Sequence, residues 1–496
     1  MHVLDWAVVV GYLLVMVAVG VWSHRQVADT SDFFSAGGRM PWWLAGISHH
    51  MSGYSAVVFV AYAGVAYDQG VVSYVVFMFP LAVATGIGAF LFAPKWNRLR
   101  RYYRIASPLE YLARRFDVPT QQVLAWSGSV LKVFDVAAKW SAVAVLLHEF
   151  VGLPTGWGVL ITASVTLVYC TAGGLWADAL TEFGQFVIQA LAAFAMIGAV
   201  GFALADRGLD YLTFWSALPA GHTDPTTTSY PGYFVLVYVL VKTFEYNGGM
   251  WNLAQRYLAT PDSAQARRTA LLSSALYLLW PLVLMLPMFA APLLVHVADP
   301  QDVYAGMALR FLPPGLLGLV LVGVFSHTMA MAASDATAIS AVVTRDVLPR
   351  IWRRARGFGE AASLRAGRVL TVGFVALSAV IAFCADGLGG VLGIVVAWVG
   401  ALIGPISIPM MLGMLRPFRH VGPTAALTSW AGGLVAYGLT KYAWQLGDVL
   451  TVVTPVLVSA LLFVGVGAAY RDAPPEADEI VDALATDHPP APVRRS

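Results

Sequence analysis

The stretch "GGRMPWWLAGISHHMSGYSAVVFV" runs from Gly37 to Val60. From Trp42 onward it is apolar enough to enter a membrane, yet it carries adjacent histidines, His49 and His50, followed by Ser52-Gly53. Glycine weakens a helix by about 1 kcal/mol relative to alanine. An ionisable side chain at membrane depth needs a partner or a role. The stretch therefore reads as a membrane helix broken near its middle, with polar groups at the break. A second segment, 231–250, repeats the pattern and closes on Asn247-Gly248-Gly249. Irregular backbone inside a bilayer survives only where protein or a cavity satisfies it, so two such breaks point to a site between them.

Composition sets the wider class. Of 496 residues, 58% are hydrophobic and 12% charged, and the mean hydropathy is +0.71, far from a soluble chain. Apolar stretches long enough to cross a hydrocarbon core of about 30 Å recur throughout. They place about thirteen spans at 4–22, 42–68, 72–94, 119–150, 156–173, 176–205, 231–250, 268–298, 313–345, 366–384, 388–414, 424–441 and 449–470. The expected fold class is an all-α polytopic membrane protein, with a transmembrane unit over 1–470 and a disordered tail over 471–496, rich in Pro, Asp and Glu.

Basic residues orient the bundle. With the N-terminus outside, Arg207, Arg310 and Lys441 fall outside, and Lys132, Lys139 and Lys242 fall within spans. The other Lys and Arg residues, including the dense runs Lys95–Arg115 and Arg345–Arg368, fall inside with the tail. The positive-inside rule favours that orientation, in the plasma membrane with a cytoplasmic C-terminus. These charges are topological and imply no nucleic-acid partner; the expected partners are the lipid bilayer and a small solute.

Four motifs narrow the class: "SDFFSAGGRMPWWLAG" (Ser31–Gly46), "ASPLEYLARRF" (Ala106–Phe116), "GGLWADALTEFGQ" (Gly173–Gln185) and "NLAQRYLATPDSAQARR" (Asn252–Arg268), the last echoed by "TRDVLP" (Thr344–Pro349). In order and spacing they resemble the sodium:solute symporter family, from about Leu4 to about Leu415. The resemblance implies a LeuT-like fold: a leading helix (4–22), two inverted five-helix repeats (42–205 and 231–414) and two trailing helices (424–470). It also implies a secondary active symporter importing a small organic solute by alternating access, with sodium as coupling ion and no cofactor.

Site residues follow by the same resemblance. Thr243, Tyr246 and Asn247 take positions that face the solute in sugar-carrying members. The family's pocket glutamate, lysine and glutamine fall on Met78, Leu278 and Ala397, and a site lacking those hydrogen-bond partners binds a hexose poorly. The remaining aromatic and Met-rich set suits a smaller or more apolar solute, so the expected partner is a monocarboxylate, an amino acid or a sugar, the first two fitting this set better. His50, Ser52, Tyr54, Lys242, Glu245 and Trp398 complete the expected substrate set.

For the cation, the backbone positions of Ser48, Met51 and His327 match the family's, and Glu182 stands in its "TD" motif in place of aspartate. Counting back from Asp346, the two hydroxyls that family members place on the ninth span fall on Ala330 and Met331, or with a two-residue shift on Ala332 and Ala333. A hard cation gains nothing useful from a methyl or a thioether, so Ser334 and Asp335, one turn on, are the expected substitutes. His50 stands where proline-type members carry aspartate, and imidazole titrates near physiological pH. Proton coupling through His50 is therefore the alternative to sodium. Lys132, Asp135 and Lys139 sit at i, i+3 and i+7 and read as a self-neutralising structural group.

Another class, a membrane-embedded acyltransferase or metal hydrolase, finds no HExxH or GxSxG pattern in the spans. A solute sensor would need an output partner. The chain is expected not to be an enzyme.

Overall fold

The structure is a computed structural model that describes residues 2–23, 30–228, 230–384, 394 and 399–487. It is all-helical, with no strand among the described residues. The principal helices are α1 (Val3–Ser23), α2 (Trp42–Met51), α3 (Ala63–Gln69), α4 (Phe79–Leu91), α5 (Ala93–Tyr103), α6 (Val118–Val151) and α7 (Thr155–Ala205). They continue with α8 (Gly232–Phe244), α9 (Trp251–Leu258), α10 (Ser263–Leu294), α11 (Leu316–Val342), α12 (Glu360–Ala382) and α13 (Ile408–Leu412). The last three are α14 (Pro423–Gly438), α15 (Asp448–Ala469) and α16 (Glu476–Ala485).

Local chemistry sets several boundaries. Asp117 caps α6 by accepting from the Thr120 amide at 2.8 Å, and Gly152 ends it in the left-handed conformation at φ 69°. Asp262 caps α10 through the Gln265 amide at 2.8 Å. These caps satisfy amides that a helix start leaves without partners. Asp5, buried on α1, accepts from the amides of Gly315 at 2.6 Å and Gly318 at 2.9 Å, so it closes the start of α11 from another helix. Within α7, Gly174 (φ 57°, ψ −156°) separates two helical runs, as the expected spans 156–173 and 176–205 require.

Helix α11 is the hub, packing against α7, α6, α1 and α12. Helices α2 and α4 pack on α10, and α14 pairs with α15. Two large apolar clusters result, one around Trp96, Trp140 and Trp251, the other around Tyr54, Tyr277 and Met329. The α8–α9 junction lies between them: Phe244 and Trp251 belong to the first cluster, Tyr246 and Met250 to the second. That junction is the second expected break.

Six uninterrupted helical stretches among the described residues are long and apolar enough to cross a membrane, with three shorter apolar helices beside them. The expected thirteen spans thus do not all appear as continuous helices; 42–68 and 231–250 are interrupted. Part of the tail expected to be disordered is ordered, while 488–496 lies outside the described residues. Glu476–Ala485 is helical and buries Ala477, Ile480, Val481, Ala483 and Leu484. Its face packs on α5 and the Leu112–Arg115 turn. Arg98 anchors it, donating to the Leu484 carbonyl at 2.6 Å and pairing with Asp487 at 3.0 Å.

Candidate functional site

Both breaks are built by side chains that take over the freed backbone. Helix α2 stops at Met51, and residues 54–55 are non-helical before the chain rewinds through a π turn (Val58–Tyr62) into α3. Tyr246 donates its hydroxyl to the Gly53 carbonyl, Asn252 its amide to the Ser52 carbonyl at 3.2 Å, and Tyr277 its hydroxyl to the His49 carbonyl at 2.9 Å. Gly53 is required by proximity, since a Cβ there would lie 1.7 Å from the Tyr277 oxygen. Helix α8 stops at Phe244 and passes through a π turn (Glu245–Gly249) and extended Met250 into α9. Trp96 donates its indole N–H to the Asn247 carbonyl at 2.7 Å, and a Cβ on Gly248 would meet Met411 Sδ at 2.4 Å.

Below the first break, toward the basic end of the bundle, lies a buried charged cluster. Arg256 on α9 is fully buried. Its Nη2 donates to Asp178 Oδ2 at 2.7 Å, to both Glu182 oxygens at 3.2 Å and to Ser334 Oγ at 2.6 Å. Its Nε donates to Ser48 Oγ at 2.8 Å. Ser48 and Ser52 each donate to Glu182, and Ser334 donates to Asp178 Oδ2 at 2.7 Å. One guanidinium faces two carboxylates, so with both ionised the cluster carries a net charge of −1. Asp178 Oδ1 is buried and has no hydrogen-bond partner among the described residues. A buried, uncompensated negative charge is costly, and a bound cation or proton relieves it.

A second network sits between α6 and α11. Lys132 reaches Asp135 and Asp335, each at 2.8 Å, while Lys139 reaches Asp135 at 3.0 Å and also Asp335. Two cations and two anions close a neutral ring. Asp135 and Lys139 also line a central cavity of about 60 Å³ with Tyr54, Tyr62, Lys242, Glu245, Tyr246 and Met331. Lys242 pairs with Glu245 at 2.7 Å and lies 4.8 Å from the Tyr238 ring centre. A larger cavity of about 310 Å³ continues beyond Tyr62 and Val399, walled by Phe77, Tyr230, Phe234 and Tyr238 and edged by Asp68 and Asp299. Tyr62 and Val399 line both spaces and so divide them.

The residues singled out from sequence fall into distinct places. Tyr54, Lys242, Glu245 and Tyr246 line the central cavity. Thr243 bonds back to the Val239 carbonyl at 2.8 Å, and Asn247 donates to the Ala84 and Thr243 carbonyls, both at 2.9 Å, away from that cavity. Ser52 joins the Arg256 cluster. Trp398, like Ala397, lies outside the described residues.

His50 Nε2 meets the Tyr54 hydroxyl at 2.8 Å, while Nδ1 has no partner among the described residues. His49 is held on both sides, by Ser273 at 2.7 Å and Tyr257 at 2.9 Å, as a structural histidine should be. Of the expected cation set, Ser48, Ser334 and Glu182 meet around Arg256. Asp335 belongs to the lysine ring. Met51 is buried at the end of α2, and the His327 ring centre lies 5.0 Å from that of Tyr54.

Asp178 and Arg256 were missed. Arg256 reads in sequence as one more loop arginine on the basic side, and the structure corrects this by burying it fully. The available signal was Asp178 four residues before Glu182, which puts two acids on one helical face.

The sequence profile of the sodium:solute symporter family matches residues 33–428. The chain belongs to the sodium:solute symporter family. Among its relatives, the sodium/sialic acid symporter SiaT of Proteus mirabilis is 22% identical over 363 residues, covering 70% of this chain and 72% of that protein. The sodium/glucose cotransporter of Vibrio parahaemolyticus is 24% identical over 437 residues, covering 81% and 79%. Among solved structures, the substrate-bound outward-open state of a Na+-coupled sialic acid symporter superposes with a TM-score of 0.82 at 19% identity, covering 95% of this chain and 98% of that one. Mhp1, a nucleobase-cation-symport-1 family transporter in a closed conformation with bromovinylhydantoin bound, superposes with a TM-score of 0.57 at 14% identity, covering 92% of this chain and 99% of that one. The fold of this family member is thus LeuT-like, and the chain is a multi-pass membrane protein.

Proposed function

We propose that this symporter-family member is a secondary active carrier in which an inward sodium gradient drives entry of a small organic solute. The observation that carries the reading is the buried cluster at the first break, with its excess negative charge and the bare Asp178 oxygen. Sodium is a hard cation and prefers oxygens. Carboxylates of Asp178 and Glu182, hydroxyls of Ser48, Ser52 and Ser334, and the broken-helix carbonyls supply them. Ala330 and Met331 offer none, so the ligand set is shifted along α11 to Ser334. The basic end faces the cytoplasm by the charge rule, so the larger cavity is the entrance from outside and Tyr62 the division the solute crosses. Three tyrosines and two ion pairs around the central cavity suit a small polar solute, a monocarboxylate or an amino acid ahead of a sugar.

Uptake into proteoliposomes with an imposed sodium gradient tests this. Sodium-dependent accumulation that Glu182→Gln abolishes at equal protein incorporation supports it. Accumulation with a proton gradient alone, lost in His50→Ala, favours the second reading. That reading rests on the hydroxyls missing at Ala330 and Met331 and on the unpartnered Nδ1 of His50.

A further inference from the structure

The connection between α11 and α12 carries four arginines that form no ion pair among the described residues. From Arg345 to Arg368 the sequence holds seven arginines against two acids, Asp346 and Glu360. Both acids are engaged: Asp346 accepts from Gln121 at 2.9 Å and from Ser107, and Glu360 accepts from the Thr30 amide at 3.0 Å. Ion pairs at this end of the bundle use Arg39, Arg98, Arg345, Arg416 and Arg419. None formed among the described residues involves Arg350, Arg353, Arg354 or Arg356, and all four are exposed.

The loop is nevertheless built. A short helix (Leu348–Ile351) runs into a 3-10 turn (Arg353–Gly357), tied by Trp352 N–H to the Leu348 carbonyl at 3.0 Å and by Arg356 Nε to the Pro349 carbonyl at 2.8 Å. Trp352 and Phe358 bracket the turn with ring centres 5.4 Å apart. Ile351 is 60% and Trp352 48% exposed, so two large apolar groups point away from the protein beside the arginines.

Depth decides what they meet. Helix α12 has 23 residues, about 35 Å at about 1.5 Å per residue, which barely exceeds a hydrocarbon core of about 30 Å. Its first turns carry Glu360, Arg365 and Arg368, and the apolar span begins near residue 366, so charge places the helix start and the turn over 352–359 on the headgroup side of the core. Tryptophan is favoured at that depth, and guanidinium groups bind phosphate oxygens bidentately. We propose that Arg350, Arg353, Arg354 and Arg356, flanked by Ile351 and Trp352, form a binding site for the phosphate headgroup of an anionic phospholipid. The site caps the helix that carries Ser334 into the charged cluster, so an occupied site fixes one end of that helix.

The test uses the purified full chain in a neutral detergent, titrated with phosphatidylglycerol, phosphatidylcholine or inorganic phosphate, with the thermal unfolding midpoint as readout. Phosphatidylglycerol should raise the midpoint saturably and the other two should not. The quadruple variant R350Q/R353Q/R354Q/R356Q should need at least tenfold more phosphatidylglycerol for the same rise, while the corresponding Arg→Lys variant keeps most of it. If the quadruple variant fails to fold in detergent, R353Q/R354Q is read in its place and should show a smaller loss of the same sign. An equal response of wild type and glutamine variant, as expected if these arginines only set topology, overturns the proposal. So does an equal rise with inorganic phosphate, which would mark a small-anion site.

Discussion

Arg256 is the residue on which the charged cluster turns, because it partners two carboxylates and three serines at once. Arg256→Met leaves Asp178 and Glu182 buried without their cation, and breaking such a pair costs about 3–5 kcal/mol. The expected result is a large fall in thermal midpoint, partly restored in Arg256→Met/Glu182→Gln; a midpoint unchanged in the single variant would show that the arginine is not paired in solution. Asp335 makes a parallel case. Asp335→Asn should destabilise strongly, because it leaves Lys132 and Lys139 with one acid between them, whereas Ser334→Ala, one residue away, should mainly weaken sodium-dependent uptake. Equal effects of the two on stability and uptake would erase the separation between ring and cation cluster. These pairings also show what the sequence conceals. The i, i+3 and i, i+4 spacings of Lys132, Asp135 and Lys139 were legible, since one helix sets them. Asp335 joins from 203 residues after Lys132, and helical periodicity gives a residue's face but not the neighbour across it. Arg256 was hidden for the same reason: its partners lie on α7, α2 and α11.

At the scale of elements, the two breaks were readable because glycine pairs interrupt apolar runs, and the structure adds the hydroxyls and amides that hold them open. Gly53→Ala forces the Tyr277 hydroxyl out of its bond to the His49 carbonyl. Overpacking of this kind costs about 1–3 kcal/mol. A fall in midpoint together with slowed uptake is expected, and a neutral substitution would show that the α2 break does not need this close contact. The tail helix was not readable as ordered, because its ten residues are mostly acidic or small and would not hold a helix alone. Its apolar stripe becomes stabilising only against α5. Ile480→Asp should release it, read as loss of amide protection over Glu476–Ala485, with the transmembrane helices unchanged. Asp487 adds a pH argument outside the membrane. The Arg98 side chain holds its carboxyl down, to about 2 from 3.8. A depressed acid contributes above its ordinary value and loses that contribution as pH falls through the folded one. Tail protection should therefore be flat from about pH 5 to 8 and fall only below about pH 4; a transition near neutrality would point to some other group.

Over the whole molecule, the account joins a LeuT-like frame, one net negative cluster at a helix break and a tyrosine-lined cavity divided from a larger space by Tyr62 and Val399. Fold class was legible from hydropathy and motif order. The cavity's contents were legible only in part, because Asn247 turns to α4 while Lys242 and Glu245 turn inward. Widening Tyr62 to alanine should speed solute exchange at the larger cavity and weaken coupling, seen as faster sodium-independent leak; unchanged leak would remove Tyr62 from the pathway. The central claim is that the cluster around Arg256 binds the coupling cation. The measurement that tests it most directly is accumulation of a panel of radiolabelled monocarboxylates, amino acids and sugars into proteoliposomes under an inward sodium gradient, for wild type and Glu182→Gln. The account predicts gradient-dependent accumulation of at least one solute by the wild type and none above background by the variant at equal incorporation. Undiminished sodium-driven accumulation in Glu182→Gln, or no accumulation of any solute under any ion gradient, would contradict it.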